Sequence, residues 1–318
     1  MAYNFGKVTK RINDMFEKGD YDHEFINLNL KKDNLAKIHH YQIIHVYNLI
    51  LALKKNMAVL DGSSTGTGKT YTSCCVCNEL GLSPIIICPK TLIEVWRTTC
   101  DYFNVKPLAI VNYETIKSCN IYDETGKRIP APFLTRDKNT DKYVWSFDKK
   151  NRPIIIFDEA HKCKTKASLN GQLMLSTRNV VKVMLLSATI SDTPRNFEIY
   201  GYLLGFYDNV RKGKKWIESV IRENNNSLSK KSNILCDLLY PNKGSRMNIE
   251  DLGGHIQDNQ ITADCYTIDA DIQKKINSEY IKIIEANKDQ SNNGVVALAT
   301  ITKARQEIEL AKVPIFFE

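Results

Sequence analysis

The stretch "VLDGSSTGTGKTYTS" (residues 59–73) decides how the chain is read. An apolar run ends at Asp61, a loop rich in glycine, serine and threonine follows, and G-K-T opens a new segment. Successive backbone N–H groups in such a loop form a nest at a helix N-terminus, where anions are favoured. Gly66 and Gly68 permit backbone conformations closed to residues with a Cβ. Ser64, Thr65, Gly66, Thr67 and Gly68 line the expected nest, Lys69 reaches the β/γ-phosphates and Thr70 offers a hydroxyl to Mg²⁺. One position departs from the general spacing G-x-x-x-x-G-K-[ST]: Ser63 stands where the first glycine is expected.

Working outward, apolar strand-like runs alternate with helical patterns from about residue 36 to 190, which predicts a parallel α/β sheet with helices on both faces. The expected strands are 57–61, 84–88, 108–112, 153–158 and 181–187. A helix after the loop is expected to end near Leu80 with Gly81 as its cap, and another to run from about Thr91 to Phe103. Residues 119–152 break the rhythm and are expected to form an inserted hairpin or surface excursion. After residue 190 the pattern is mostly helical. Residues 223–233 read as a mobile loop and "ITADCYTI" (261–268) as one more strand. Ile272, Ile276, Ile283 and Ile284 share a helix face, and a last helix capped by Asn293 carries Leu298, Ile301, Arg305 and Ile308 in register, with Pro314 beyond its end.

The second chemical constellation is "PIIIFDEAHKCK" (153–164). Its strand ends at Asp158 and Glu159, at the carboxyl edge where ligands bind in open α/β sheets. Asp158 is placed to hold Mg²⁺ and Glu159 to orient and deprotonate an attacking water. A solvated carboxylate pair, or half a zinc site through His161 and Cys163, is the alternative, but no partner pair for zinc follows at sensible spacing.

Composition bounds the rest. Of 318 residues 43% are apolar and 25% charged, which suits a globular protein of one to three domains. No segment reaches the roughly 18 apolar residues of a membrane span, and the N-terminus lacks a signal-peptide core. Nine cysteines lie in apolar segments, three of them in "CCVC" (74–77), so buried thiols in a reduced, intracellular protein are expected. The net charge of +8 permits a polyanionic partner without requiring one.

Together, "SSTGTGKT", "DEAH" and "LLSATI" resemble the motif series of superfamily 2 helicases and translocases, in which alanine usually stands at the position of Ser63. The resemblance implies a RecA-like ATP-binding lobe over residues 36–210, after an N-terminal extension (1–35) and before a mainly helical extension (211–318). It implies ATP and Mg²⁺ as cofactors and nucleic acid as partner, DNA ahead of RNA, with no membrane. Ser187 and Thr189, with His161, would couple the nucleotide state to nucleic-acid grip. "HHYQ" resembles the glutamine motif, with Gln42 on the adenine edge. "CPKTLIEVW", "VNYETI" and "DEAHKCKTKAS" resemble segments of Swi/Snf-type translocases and imply nucleic-acid contacts at Lys90, Thr91, Asn112, Tyr113 and Ser168; Thr165 replaces the asparagine of the last pattern. The family's second lobe carries a Q-x-x-G-R-x-x-R motif supplying an arginine finger. No such motif occurs here, which implies a partner lobe outside this chain and slow hydrolysis by the chain alone. The Lys-, Asn- and Ile-heavy wording hints at an AT-rich genome, such as a large DNA virus or phage. The rival expectations are a P-loop kinase, which would lack the Ser-Ala-Thr segment, and an ATP-gated binding module without motor activity.

Overall fold

The computed structural model describes residues 30–190, 197–223, 235–248, 269–288 and 294–313. The expectations for residues 224–233, the strand at 261–268, Asn293 and Pro314 lie outside the described residues.

Six parallel strands form the central sheet: β1 (Ala58–Asp61), β2 (Ser83–Cys88), β3 (Ala109–Asn112), β8 (Pro153–Asp158), β9 (Lys182–Leu186) and β10 (Gly244–Ser245). Their spatial order is β10-β1-β9-β8-β2-β3. Four short strands form two antiparallel hairpins, β4 (Asn120–Tyr122) with β5 (Arg128–Pro130) and β6 (Leu134–Arg136) with β7 (Tyr143–Trp145). Isoleucine-rich runs make strands because β-branched side chains fit a pleat buried on both sides. Alternate residues then enter different cores. Leu60, Ile85, Ile87, Ile155, Phe157 and Leu185 belong to one. Val59, Ile86, Ile154, Ile156, Met184 and Leu186 belong to the other. Each fully buried side chain of this size contributes about 1.5–3 kcal/mol, so the strands themselves carry much of the stability.

Helices α1 (His40–Lys55), α2 (Lys69–Leu80) and α3 (Ile93–Tyr102) cover the second face. Helix α2 ends as expected: Gly81 is left-handed at φ 60° and its N–H returns to the carbonyls of Asn78 and Cys77. The other face takes α4 (Leu169–Leu175), α5 (Glu198–Leu204), α6 (Gly213–Glu223) and both hairpins. Of the two expectations for 119–152, an inserted hairpin or a surface excursion, the segment takes the first, as two hairpins packed on the core. Tyr143 and Trp145 point inward while Val144 between them is 47% exposed, and Phe133 stacks on Trp145 with ring centroids 6.3 Å apart.

The described residues after 210 are mainly helical, as expected, and add one short strand to the sheet. β10 pairs Gly244 with Leu60 and Ser245 with Asp61, closing the sheet beside β1. The first compact unit accordingly reaches residue 256. The second unit, residues 257–318, holds α7 (Ala270–Lys288) and α8 (Gly294–Lys312). Ile276, Ile308 and Ala311 form one apolar cluster of this pair, and Ala286, Ala297 and Ile301 another. Ile284 and Leu298, expected on the packed faces, are 54% and 62% exposed, and Arg305 is also exposed. Small Ala297, Ala304 and Ala311 take the seam instead, letting the helices approach closely.

The edge strand depends on a close approach at Gly244, where an added Cβ would lie 1.8 Å from the Leu60 carbonyl oxygen. Gly244→Ala is expected to cost about 1–3 kcal/mol by overpacking. In thermal unfolding the midpoint falls by several degrees; an unchanged midpoint would show that β10 is not held in this register.

Candidate active site

The phosphate-loop stretch lies between β1 and α2, as its sequence dictates. Gly66 and Gly68 sit at φ +82° and +89°, and Gly68 is the N-cap of α2. Around Gly66 nothing lies within 4 Å of where a Cβ would stand; at Gly68 that Cβ would meet Gln42 Nε2 at 2.4 Å. The backbone N–H groups from Thr65 to Tyr71 find no acceptor among the described residues. This is a nest of donors at a helix N-terminus, built for an anion with several oxygens. The Lys69 ammonium folds across the loop, donating to the carbonyls of Ser63 (2.9 Å) and Ser64 (3.0 Å). Thr70 is half-buried in the first turn of α2.

Ser63 is the residue at the irregular position, and its side chain explains its presence. Fully buried, its hydroxyl accepts the Met247 N–H at 3.0 Å, while the Ser64 N–H donates to the Met247 carbonyl at 2.9 Å. A glycine there would lose the first of these bonds. The loop is thus anchored to the chain that follows β10.

Asp158 and Glu159 stand at the end of β8, two strands from β1 in the sheet order. Burial pushes the Asp158 carboxyl above the usual carboxylate range, and the Glu159 charge adds to this. The Trp96 hydrogen bond, the Glu159 N–H and the Lys69 charge pull the other way. Trp96 Nε1 donates to Asp158 Oδ2 at 2.8 Å, and the Glu159 N–H donates to Oδ1 at 3.0 Å. Glu159 adopts a left-handed conformation, φ 52° and ψ 50°, a strained state for a residue with a Cβ. Two phenols brace this turn: Tyr113 donates to the Asp158 carbonyl (2.7 Å) and Tyr200 to that of Ala160 (3.0 Å).

From Glu159 a chain of polar groups leads away. His161 Nδ1 is 3.1 Å from Glu159 Oε2 and 3.4 Å from Ser187 Oγ, which in turn is 3.5 Å from Thr189 Oγ1. The three residues expected to couple the site outward are brought together with the carboxylate they would serve.

The remaining expected site residues are placed as follows. Tyr113 and Asn112, read as nucleic-acid contacts, are buried. The Asn112 amide donates to Glu114 and its oxygen accepts from Tyr122, so both ends are engaged by protein. Ser168 caps α4, accepting the Gly171 N–H at 3.1 Å and donating to the Thr165 carbonyl at 2.7 Å. Gln42 lies beneath the loop, not at an open edge. Its Nε2 donates to the Thr67 carbonyl and its Oε1 accepts from the His39 N–H, both at 2.9 Å. Thr67 is buried, its hydroxyl bonded to the Ser64 carbonyl. Lys90 and Thr91 are exposed in the turn after β2.

Sequence reading missed Trp96 and Tyr200, which carry no local signal. It also missed a buried pair under the loop, His45 with Asp61, although a charged residue closing the apolar run "AVLD" was a visible oddity. "CCVC" is buried, with Cys74 Sγ 3.8 Å from Cys100 Sγ. Burial pushes the Cys75 thiol up to about 12.

Removing the donor to Asp158 Oδ2 removes a stabiliser of its charged form. In Trp96→Phe the Asp158 carboxyl, followed by ¹³C NMR titration, is expected to titrate at higher pH than in the parent protein. An unchanged midpoint would show that this hydrogen bond does not set the acidity.

A family model described as "Type III restriction enzyme, res subunit" matches residues 35–192. A protein of Acanthamoeba polyphaga mimivirus, named "Putative ATP-dependent RNA helicase", is 35% identical over 323 residues, covering 92% of this chain and 60% of that protein. The solved structure "Sulfolobus solfataricus SWI2/SNF2 ATPase core in complex with dsDNA" is similar with a TM-score of 0.51 and 14% identity, covering 89% of this chain and 60% of that one. That second likeness is one of fold. The chain therefore spans about 60% of the length of either relative. A family model runs through both the phosphate loop and the D-E-A-H turn, and the mimivirus protein is similar over nearly the whole chain, which supports the resemblance to superfamily 2 of the helicases and translocases.

Proposed function

We propose that this chain is the ATP-hydrolysing lobe of a nucleic-acid-dependent ATPase, completed in action by a second RecA-like lobe. The observation that carries the reading is the union of two things at one sheet edge. A phosphate nest with a lysine across it faces an acidic strand end whose Asp158 feels the Lys69 charge. The residues fit a magnesium nucleotide: free N–H donors, two glycines at positive φ, one ammonium and a buried carboxylate at the end of β8, two strands away.

When bound, the magnesium nucleotide supplies the phosphoanhydride to be broken and an ion that neutralises charge on its oxygens. The chain's own residues do the rest. The Thr65–Tyr71 amides and Lys69 hold the phosphates, and Thr70 and Asp158 hold the ion. Glu159 takes the proton of the attacking water, and His161 keeps its carboxylate in place. Because His161 also faces Ser187, a change at Glu159 is transmitted along Ser187 and Thr189 to the segment beyond β9.

For the polyanionic partner, Lys90 and Thr91 remain the best-placed of the expected contacts, joined by exposed Lys162 and Lys164 on the turn after β8. Double-stranded DNA is the proposed track, on the strength of the Swi/Snf-like wording of "DEAHKCKTKAS". The mimivirus relative is named for RNA, so RNA is a necessary arm of the test. That relative and the AT-rich wording together support a viral origin.

ATP turnover is to be measured with duplex DNA, single-stranded DNA and RNA. Stimulation by DNA above RNA is expected once the second lobe is present, with slow turnover by this chain alone. Lys69→Ala abolishes turnover, and Glu159→Gln lowers it by about 10²–10⁴ while nucleotide still binds. Nucleic-acid binding without stimulated turnover would favour an ATP-gated binding module; full turnover in Lys69→Ala would sink the site.

Contacts to phosphates release counterions, so affinity should fall steeply with salt. Lys90→Ala is expected to weaken binding evenly across sequences and reduce the slope of log affinity against log salt by about one. A slope identical to the parent's removes Lys90 from the interface.

A further inference from the structure

Helix α1 buries a polar residue on successive turns of one stripe: Gln42, His45 and Asn48. A spacing of three places them on the same face. Each grips a different part of the scaffold around the loop. Gln42 donates to the Thr67 carbonyl, and Asn48 donates to the Gly244 carbonyl of β10 at 2.5 Å. Between them, His45 Nε2 lies 3.0 Å from Asp61 Oδ2, with both side chains wholly buried.

Stability is a weak reason for such a pair. Two ionisable groups taken out of water are often no better for folding than two apolar ones of the same size. The His45 ring adds to the oddity, because its buried Nδ1 finds no hydrogen-bond partner among the described residues. The imidazole serves Asp61 alone, through Nε2.

Asp61 in turn serves the loop. Its Oδ1 accepts the Ser63 N–H at 3.0 Å, and its Oδ2 lies 3.5 Å from the Thr72 hydroxyl, whose nearer acceptor is the Lys69 carbonyl at 3.0 Å. Ser63 opens the loop and Thr72 sits in the first turn of α2, so one carboxylate touches both ends. The donors left without an acceptor, Thr65 to Tyr71, are the residues between those two ends.

We propose that His45 and Asp61 are positioning residues of the nucleotide loop: His45 orients the Asp61 carboxylate, which holds the Ser63 N–H and packs against the Thr72 hydroxyl and so keeps the intervening N–H groups toward the phosphates. The inference rests on the nucleotide reading above. It assigns neither residue a contact with the nucleotide. Asp61 stays ionised for this purpose: burial alone would raise it, but the facing His45, the bonds from His45 and Ser63, and the Lys69 charge hold it below the usual carboxylate range.

The test uses the 318-residue chain in four forms: parent, His45→Leu with Asp61→Val, Asp61→Asn and Asp61→Ala. Three quantities are read: the dissociation constant of a fluorescent ADP analogue with Mg²⁺, the thermal midpoint, and amide exchange at Ser63 without nucleotide. The apolar double variant is expected to keep its midpoint within a few degrees, bind the analogue about tenfold more weakly, and exchange the Ser63 amide faster. Asp61→Asn keeps an acceptor oxygen for Ser63 and recovers most of the affinity that Asp61→Ala loses. Parent-like affinity together with parent-like exchange in the double variant overturns the proposal. Should that variant not fold, equal affinities of Asp61→Asn and Asp61→Ala overturn it instead. A parent chain that binds no analogue while its Ser63 amide is protected, with protection lost in Asp61→Ala, fails the nucleotide reading and leaves the hold on Ser63 itself standing.

Discussion

The site depends on one hydrogen-bonding constraint: the loop must keep its N–H groups free while everything around them is tied. An unpaired backbone donor is costly when removed from water, so a run of seven residues without acceptors has to be held open by its surroundings. The ties are visible. Gln42 takes the Thr67 carbonyl, Lys69 the carbonyls of Ser63 and Ser64, Asp61 the Ser63 amide, and Met247 both the Ser63 hydroxyl and the Ser64 amide. Carbonyls are consumed and donors are spared, which makes the loop an anion receptor and not a mere turn.

Two aspartates end strands of the same sheet, and their surroundings push them in opposite directions. Asp61, met by His45 and Ser63, is held low; it adds stability at neutral pH that is lost as pH falls through its folded-state value. Asp158, dominated by burial and beside Glu159, is held high; it favours the folded state only where protonated, and that contribution is lost as pH rises. Two strand-end carboxylates are thereby told apart by environment and not by residue type. The strain at Glu159 belongs to the same division, since a left-handed glutamate persists only where phenols and β8 hold the turn.

Much of this was legible from the chain. The alternation of isoleucine-rich strands with helices forecast the parallel sheet, and D-E-A-H was expected at the carboxyl edge of that sheet. These signals are local: strand length, glycine at positive φ and a capping Gly81 are properties of a few neighbouring residues. What was not legible lay in longer-range burial. Tyr113 and Asn112 look like surface residues in "VNYETI" but fill space beneath β8 and beside Tyr122. The insertion at 119–152 reads as polar and turn-rich, yet its alternate aromatic residues enter the core.

The sequence by itself determined the glycine-rich loop, the acidic strand end and the strands that carry them, because backbone conformation and pleat burial follow from residue type and spacing. Only the tertiary structure decided how those parts are held. That Ser63 fastens to Met247, that Trp96 bonds to Asp158, and that His45 stands against Asp61 depend on contacts between segments far apart in the chain. Burial, and with it the meaning of a polar side chain, is set by what the fold packs against it.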